Sequence, residues 1–219
     1  MRRPGMAITV FLLLAGPLNL IPFFTASANA EPYVALQLGG AISNKDSDVK
    51  GTGGLAGVSL GDIDLKSSFM YGVKAGYFFP SLKWLGIESE IFTSTPDTKD
   101  QSVPATTPMG PGTIHFFQSD ERATVWAFNV IARYPGEWFQ PYAGVGLGIF
   151  IFKTADTVPG LNVLAGGRFF LTKNIALFGE YKYNRASTEA DAIILGLGAG
   201  RLQFDYSAHI LALGIGFHY

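Results

Sequence analysis

The sequence predicts an all-β fold, an eight-stranded antiparallel up-and-down transmembrane β-barrel, and three observations point to it. The last stretch, from Tyr206 to Tyr219, alternates large apolar residues with small ones, so a strand there has one apolar face that cannot stay in water. About eight segments of this kind recur, each near the 9–11 residues that a tilted strand needs to cross a bilayer. A segment typical of an export signal precedes them.

The first element is the signal, predicted over residues 1–30. Arg2 and Arg3 precede a mostly apolar run, and a segment of small residues leads to a cleavage site after Ala30. Two prolines and an asparagine interrupt the run, which argues against a membrane-spanning helix. We therefore expect one mature unit, residues 31–219, that forms an outer-membrane β-barrel domain.

Composition narrows the class of protein. Removal of the two arginines leaves 14 basic against 17 acidic residues, a net charge of −3, which gives no support for nucleic-acid binding. The absence of cysteine excludes disulfides and thiol catalysis. Only 15% of the residues are charged and 48% are hydrophobic, although about 25% charged is usual in soluble domains. Since no run of about 18 apolar residues exists to form a membrane helix, the apolar residues must be distributed over many short segments.

The strands and their connections follow in order. Long, polar connections at 43–67, 94–121 and 185–205 alternate with short turns, a pattern typical of a barrel whose long loops face outward and whose short turns face the periplasm. The segment 191–200 can be read either as loop or as an additional strand above the membrane. The predicted strands are 32–42, 68–79, 84–93, 122–134, 140–152, 161–172, 175–184 and 206–219.

Each strand has two different faces. In strand 140–152, Val145, Leu147 and Ile149 alternate with glycines, and elsewhere the second face carries charge. A charge that faces lipid at the midplane costs about 2–4 kcal/mol, so we assign the second face to the lumen. The pattern fits either a gated ion path or a salt-bridged core, and we favour the core. The predicted lumen network comprises Lys74, Glu88, Glu90, Arg133, Arg168, Glu180 and Lys182.

Aromatic residues are concentrated near the predicted strand ends, where amphipathic rings favour the lipid–water interface. We expect one girdle at the periplasmic side and one at the outer side. The periplasmic girdle is predicted to hold Phe79, Trp84, Tyr134, Trp138, Phe139 and Tyr219, and the outer girdle Phe69, Phe92, Phe152, Tyr183 and Tyr206.

The signal, the strand rhythm and the terminal Gly-Ile-Gly-Phe-His-Tyr resemble the small outer-membrane β-barrel proteins of the OmpA/OmpX-like, or porin-like, superfamily. This resemblance implies a monomer in the cell outer membrane of a Gram-negative-type cell, in contact with membrane lipid and lipopolysaccharide. It also implies that Ile215, Phe217 and Tyr219 form the C-terminal signal that the barrel-assembly machinery reads, although the family usually ends in Phe. The chain ends with the last strand, so we expect no peptidoglycan-binding domain.

An enzymatic reading rests on the last strand. Asp205, Ser207 and His209 share one face, and an acid, a base and a hydroxyl are the parts of an activated nucleophile. Some small barrels are lipid A deacylases with lipid-facing His, Ser and acidic residues, but their His precedes the Ser. Neighbours at i and i+2 also lie about 7 Å apart, too far for a direct hydrogen bond. We therefore expect no catalytic residues, and three scattered histidines indicate no metal site and no cofactor.

The sequence thus predicts a structural or surface-interaction role, in which the outer loops contact a host or surface ligand. A narrow, low-conductance porin-like channel is the transport alternative, and lipid A deacylation through Ser207 and His209 is the enzymatic one. A third alternative is a soluble lipocalin-type calyx, in which the apolar face would turn inward around a ligand.

Overall fold

The computed structural model describes residues 31–118, 121–194 and 196–219, so the predicted signal at 1–30 lies outside the described residues. Twelve strands occur in this part of the chain, together with one short 3₁₀ helix at Gly53–Leu55. No helix in the described ranges is long and apolar enough to cross a membrane. The strands are β1 Glu31–Thr52, β2 Ser59–Leu60, β3 Ile63–Asp64, β4 Ser68–Phe79, β5 Leu82–Ser94, β6 Gln101–Thr107, β7 Gly110–Phe116, β8 Ala123–Arg133, β9 Phe139–Phe152, β10 Val158–Phe170, β11 Ile175–Ile194 and β12 Gly198–His218.

Eight of the strands form a closed antiparallel ring. Each pairs with the next in the order β1, β4, β5, β8, β9, β10, β11 and β12, and β12 returns to pair with β1. Closure satisfies the main-chain hydrogen-bonding groups that a lipid environment cannot, which is why only closed barrels and helices span membranes. The predicted eight-stranded barrel is confirmed.

The apolar face of the barrel points outward. Leu147 and Leu213 are 70% and 71% exposed, whereas Glu90 and Arg168 are 1% and 3% exposed. The outward apolar residues of β1 run from Val34 to Ile42, which matches the length of strand that a bilayer requires. Since a soluble calyx would place these residues inside, that alternative is wrong.

Three strands extend far beyond their predicted bounds, into predicted loops. β1 continues to Thr52, β11 to Ile194, and β12 begins at Gly198, so much of the predicted loop 185–205 is strand. In this segment the sequence does not alternate between apolar and polar residues, because above the membrane both faces of the strands contact water or other parts of the protein. Residues 191–194 end β11 and 198–200 begin β12, and residues 192–194 pair with 198–200, while Leu195 lies outside the described residues.

Above the membrane, β1 changes its neighbour on one side. It pairs with β4 from Glu31 to Ala41, and beyond that point the same edge pairs with the short strands β3 and β2. Register shifts after Ala41 and after Ser47 accompany the change. From β2 the sheet continues to β6 and then to β7, so the predicted loops 43–67 and 94–121 contribute an extracellular branch of the sheet.

Candidate functional site

A network of buried ion pairs occupies the middle of the lumen. The Nζ atom of Lys74 lies 2.9 Å from both carboxylate oxygens of Glu180 and 3.2 Å from Oε1 of Glu88. Lys182 donates to Glu90 and lies 3.1 Å from Glu180. All five residues come from inward-facing positions of β4, β5 and β11. Lys74 therefore pairs with all three carboxylates, the one of Glu90 at 3.9 Å, and Lys182 with two of them, and all five side chains are buried.

Amide side chains extend this network toward the outer side. Asn162 donates to Oε1 of Glu90 and to Oδ1 of Asn129, both at 2.8 Å. Gln37 donates to Glu90 at 3.1 Å, and Asn184 donates to Asn162 at 2.7 Å. These donors satisfy acceptors that burial would otherwise leave without partners. Sequence reasoning missed Gln37 and Asn184, although both lie on the inward parity of their strands.

Arg168 balances the charge of the network without an ion pair to it. Its guanidinium carbon lies 4.3 Å from the ring centre of Tyr33 and 5.2 Å from that of Tyr142. The hydroxyl of Tyr33 donates to Glu88, and that of Tyr142 donates to Glu180 at 2.8 Å. The two tyrosines thus lie between the arginine and the carboxylates. Three cations and three anions are enclosed in this layer, namely Lys74, Lys182 and Arg168 with Glu88, Glu90 and Glu180.

Arg133 lies apart from the other six predicted network residues, at the periplasmic end. Its Nη1 atom donates to Oε1 of Glu31 at 2.7 Å and to Oε1 of Gln140 at 2.8 Å. Nδ1 of His218 lies 2.9 Å from the same Glu31 oxygen. Glu31 therefore joins β8 and β12 to the start of β1. Sequence reasoning missed Glu31, because this residue precedes the first predicted strand, 32–42, and so has no assigned face.

An apolar layer fills the lumen on the outer side of the network. Phe92, Phe150, Tyr206 and Ile210 are buried there and belong to one cluster with Met70. The predicted outer girdle is therefore wrong for Phe92 and Tyr206, whose rings point inward, and Phe152 packs against the same cluster. Phe92 lies two residues after Glu90 on β5 and therefore points to the same, inward face. The alternation of the strand thus decides its direction, not the preference of aromatic rings for the lipid–water interface.

At the other end, the aromatic side chains behave as predicted. Trp84, Tyr134, Trp138 and Tyr219 are exposed at the periplasmic rim. The residues of the predicted C-terminal assembly signal, Ile215, Phe217 and Tyr219, all face outward, and the last two rings lie 4.7 Å apart. Recognition of these residues by the barrel-assembly machinery stays a prediction.

Ser207 and His209 are not arranged as a nucleophile and its base. Nδ1 of His209 lies 2.6 Å from the hydroxyl of Tyr181, and the Asp205 carboxylate accepts hydrogen bonds from Arg185 and Ser187. In the part of the chain that the structure describes, no hydrogen bond joins Ser207 to His209 or Asp205 to His209. Nor do those residues include a group of three metal-ligating side chains that could hold an ion.

The extracellular branch has its own apolar core and its own ion pairs. Val49, Leu55, Ile63, Val103 and Leu202 are buried together, from four separate strands and the 3₁₀ turn. Arg201 of β12 forms ion pairs with β11 and with the connection before β10. Its Nη1 atom lies 3.0 Å from Glu189, and its other nitrogens contact Asp156 and Asp191. The region is an ordered domain-like extension, and the loops predicted from the sequence are largely replaced by paired strands.

The outer edge of this branch is open. β6 pairs with β7 from Gln101 to Thr107, and no described strand pairs with the other side of β7. Met109 at the hairpin turn is 76% exposed, and Phe117 just after β7 is 75% exposed. An edge strand with unpaired main-chain groups and adjacent apolar side chains is a template for another strand.

A closed eight-stranded ring with an apolar exterior and enclosed charges defines the class of transmembrane β-barrels of the outer membrane. Residues 11–218 match the family model described as outer membrane protein beta-barrel domain, so the chain belongs to that family and lies in the outer membrane. No curated protein matches the chain.

Two solved structures support the fold. The outer membrane protein OprG from Pseudomonas aeruginosa is 15% identical with a TM-score of 0.59, and the match covers 87% of this chain and 96% of that one. Neisserial surface protein A is 16% identical with a TM-score of 0.51, over 86% of this chain and 97% of that one. At this level of identity, the likeness extends to the fold alone.

Proposed function

We propose that this protein is a surface-interaction barrel: a closed membrane support that presents an extracellular β-sheet to a polypeptide partner. One contrast carries the proposal. The eight-stranded ring leaves no strand edge in the membrane, whereas the branch that leaves it ends at β7 with a free edge among the described strands. An edge of this kind binds an extended peptide through main-chain hydrogen bonds, and nearby pockets or side chains provide specificity.

The filled lumen supports a structural rather than a transport role for the barrel itself. An eight-stranded barrel has an interior that side chains can fill. Here the ion-paired layer around Lys74 and Glu180 is covered on its outer side by Phe92, Phe150 and Ile210. An ion would have to displace both layers, so the low-conductance channel is the less supported alternative.

The geometry at Ser207 gives the enzymatic alternative no support, and we propose no catalytic role. Outside the barrel, we propose that the apolar belt contacts lipid and lipopolysaccharide and that the protein acts as a monomer. Assembly would depend on Ile215, Phe217 and Tyr219, as the sequence predicts.

A peptide selection tests the proposal. The protein in lipid nanodiscs is used to select binders from a random displayed 12-residue peptide library, with empty nanodiscs as the subtraction step. We expect enriched extended, β-prone peptides whose binding falls at least tenfold in the variant Thr113→Lys, because a lysine on an edge strand opposes strand addition. Thr113 is exposed on β7.

The matched control is Ser81→Lys, which adds the same charge in an exposed periplasmic turn and should leave binding unchanged. If no peptide is enriched over empty nanodiscs, or if the enriched peptides bind both lysine variants equally, the β7 edge is not the binding surface and the proposal fails.

A further inference from the structure

A cavity of about 300 Å³ lies above the apolar layer of the lumen, in the extracellular part of the protein. This volume is at the lower end of the range for sites that bind small molecules. Its walls come from β1, β3, β7, β8, β9, β11 and β12 and from the connections that precede β4, β6, β8 and β10. Phe117 at its rim is strongly exposed, so the cavity reaches the protein surface. Its apolar wall includes Leu65, Phe116, Phe152, Leu202, Phe204 and Tyr206.

Among the carboxyl groups that line this cavity, that of Asp46 has an enclosed oxygen without a partner among the described residues. Asp46 of β1 is half-buried and lines the cavity, and its Oδ1 atom is enclosed without a hydrogen-bond partner in the described part of the chain. The side chain faces inward, because Asp46 pairs in register with the buried residues Tyr206 and Ile63. A buried acceptor without a partner is costly, so its presence indicates a place for a donor that the protein itself does not provide.

The charged groups around Asp46 favour a cation as that donor. Glu121 lines the same cavity and accepts a hydrogen bond from Thr154 at 2.6 Å. Asp191 is on the wall formed by β11, where it is paired with Arg201. The one basic residue of the wall is Arg122, so acidic groups are in excess. Aromatic faces around a carboxyl group also stabilise an ammonium ion through cation–π contacts.

From this combination, we propose that the cavity is a binding site for a small ammonium compound with an apolar body, whose ammonium group donates to Asp46. The apolar part would occupy the space between Phe152, Phe204 and Tyr206. This inference goes beyond the proposed function and does not require it: the cavity adjoins the end of β7 at Phe116 and Phe117, but Asp46 lies on β1 and the edge position Thr113 is not among the lining residues.

The acid–base state of Asp46 gives the proposal a second line of test. Burial, together with the negative charge of Glu121, raises the pKa of Asp46 to about 7. Ammonium binding requires the carboxylate, so affinity should fall as the pH is lowered from 8 to 5.5. The other groups that line this cavity include Tyr206, Glu121, Asp191 and Arg122, and Tyr206 stays neutral over this range because burial raises its pKa.

The experiment is a calorimetric titration of phenethylammonium into the nanodisc-embedded protein at pH 8, with empty nanodiscs subtracted. 2-Phenylethanol and 3-phenylpropionate are the neutral and anionic comparison compounds. We expect the ammonium compound to bind, the alcohol to bind at least tenfold more weakly, and the carboxylate not to bind. Affinity for the ammonium compound should fall at least fivefold at pH 5.5.

Two variants and one control test whether the compound binds in this cavity. Asp46→Asn should weaken ammonium binding at least tenfold, whereas Asp48→Asn, the same change at an exposed position two residues further along β1, should not. Ala192→Leu keeps Asp46 and fills part of the cavity, so it should also weaken binding.

Equal binding of the ammonium compound and the alcohol, affinity that does not change with pH, or unchanged binding in both Asp46→Asn and Ala192→Leu would each overturn the proposal. None of these outcomes bears on the peptide selection at β7, so the two proposals fail separately.

Discussion

The Nζ atom of Lys74 contacts both carboxylate oxygens of Glu180 at 2.9 Å, although 106 residues separate them in the chain. The contact exists only when the ring is closed in its native register, because β4 and β11 lie on different sides of the barrel. Removal of one partner of a buried pair leaves a charge uncompensated and typically costs about 3–5 kcal/mol. The pair is thus a sensitive reporter of correct closure.

We expect Glu180→Gln to lower the free energy of unfolding by about 3–5 kcal/mol, measured by urea unfolding in lipid vesicles with tryptophan fluorescence. The double variant Lys74→Met/Glu180→Gln should lose less than the sum of the two single variants, since the uncompensated charge is then gone. Glu137→Gln, the same change at an exposed turn, is the control. Additive losses would mean that the two side chains are not coupled.

A second prediction concerns the periplasmic end. Glu31→Gln keeps the shape of the side chain but removes the charge that Arg133 and His218 contact. Hydrogen bonds to charged groups are worth about 1.5–3 kcal/mol, so we expect a loss of that order and a lower temperature for the shift in gel mobility of the folded barrel. An unchanged transition temperature would show that Glu31 does not hold β1 to β8 and β12.

Conductance in planar bilayers tests the closed lumen. We expect no current from the purified wild type, and none from Glu88→Gln or Arg168→Gln, because the apolar layer still covers the network. Current should appear only when Phe92 and Phe150 are both replaced by glycine in the Glu88→Gln background. A steady wild-type current that Glu88→Gln alters would instead support the channel.

The raised pKa of Asp46 should make the free energy of unfolding depend on pH. Its pKa is about 3.9 in an unfolded chain and about 7 in the folded protein, so the folded state favours the protonated form. The stabilising contribution is therefore complete below pH 4 and is lost as the pH rises to about 7. In Asp46→Asn this dependence should disappear, so that the variant gains stability relative to wild type between pH 4 and 8. Parallel curves for the two proteins would contradict the assignment.

Lipid A provides the test of hydrolysis. His209 bonds to Tyr181 and not to Ser207, so cells that express His209→Ala should give the same lipid A mass spectrum as cells that express wild type. The loss of an acyl chain in wild-type cells alone would establish the deacylase alternative. Cells without the protein provide the baseline spectrum.

Much of the barrel could be predicted because every second residue of a membrane strand faces lipid and must be apolar, as Leu147 and Leu213 are. The extension of β11 and β12 above the membrane could not be predicted. Both faces of the strands contact water or protein there, so the apolar residues have no two-residue period. Strand parity places Lys74, Glu88 and Glu180 on the lumen face, but it does not say which ring or amide packs beside the lumen glycines: a Cβ at Gly76 would meet Tyr33 at 2.5 Å, and one at Gly146 would meet Asn129 at 2.3 Å.

The branch that leaves β1 also has a mechanical consequence. β2 is paired to β1 through Lys50 and Ser59 alone and to β6 through two residue pairs, whereas the ring strands share ten or more. A force applied to the β6–β7 hairpin by a bound object would thus act first on the few residue pairs that join β2 to β1 and to β6. We expect the hairpin to peel away under tension at forces that leave the cylinder in the bilayer undamaged, so that a cell could detach without losing the protein.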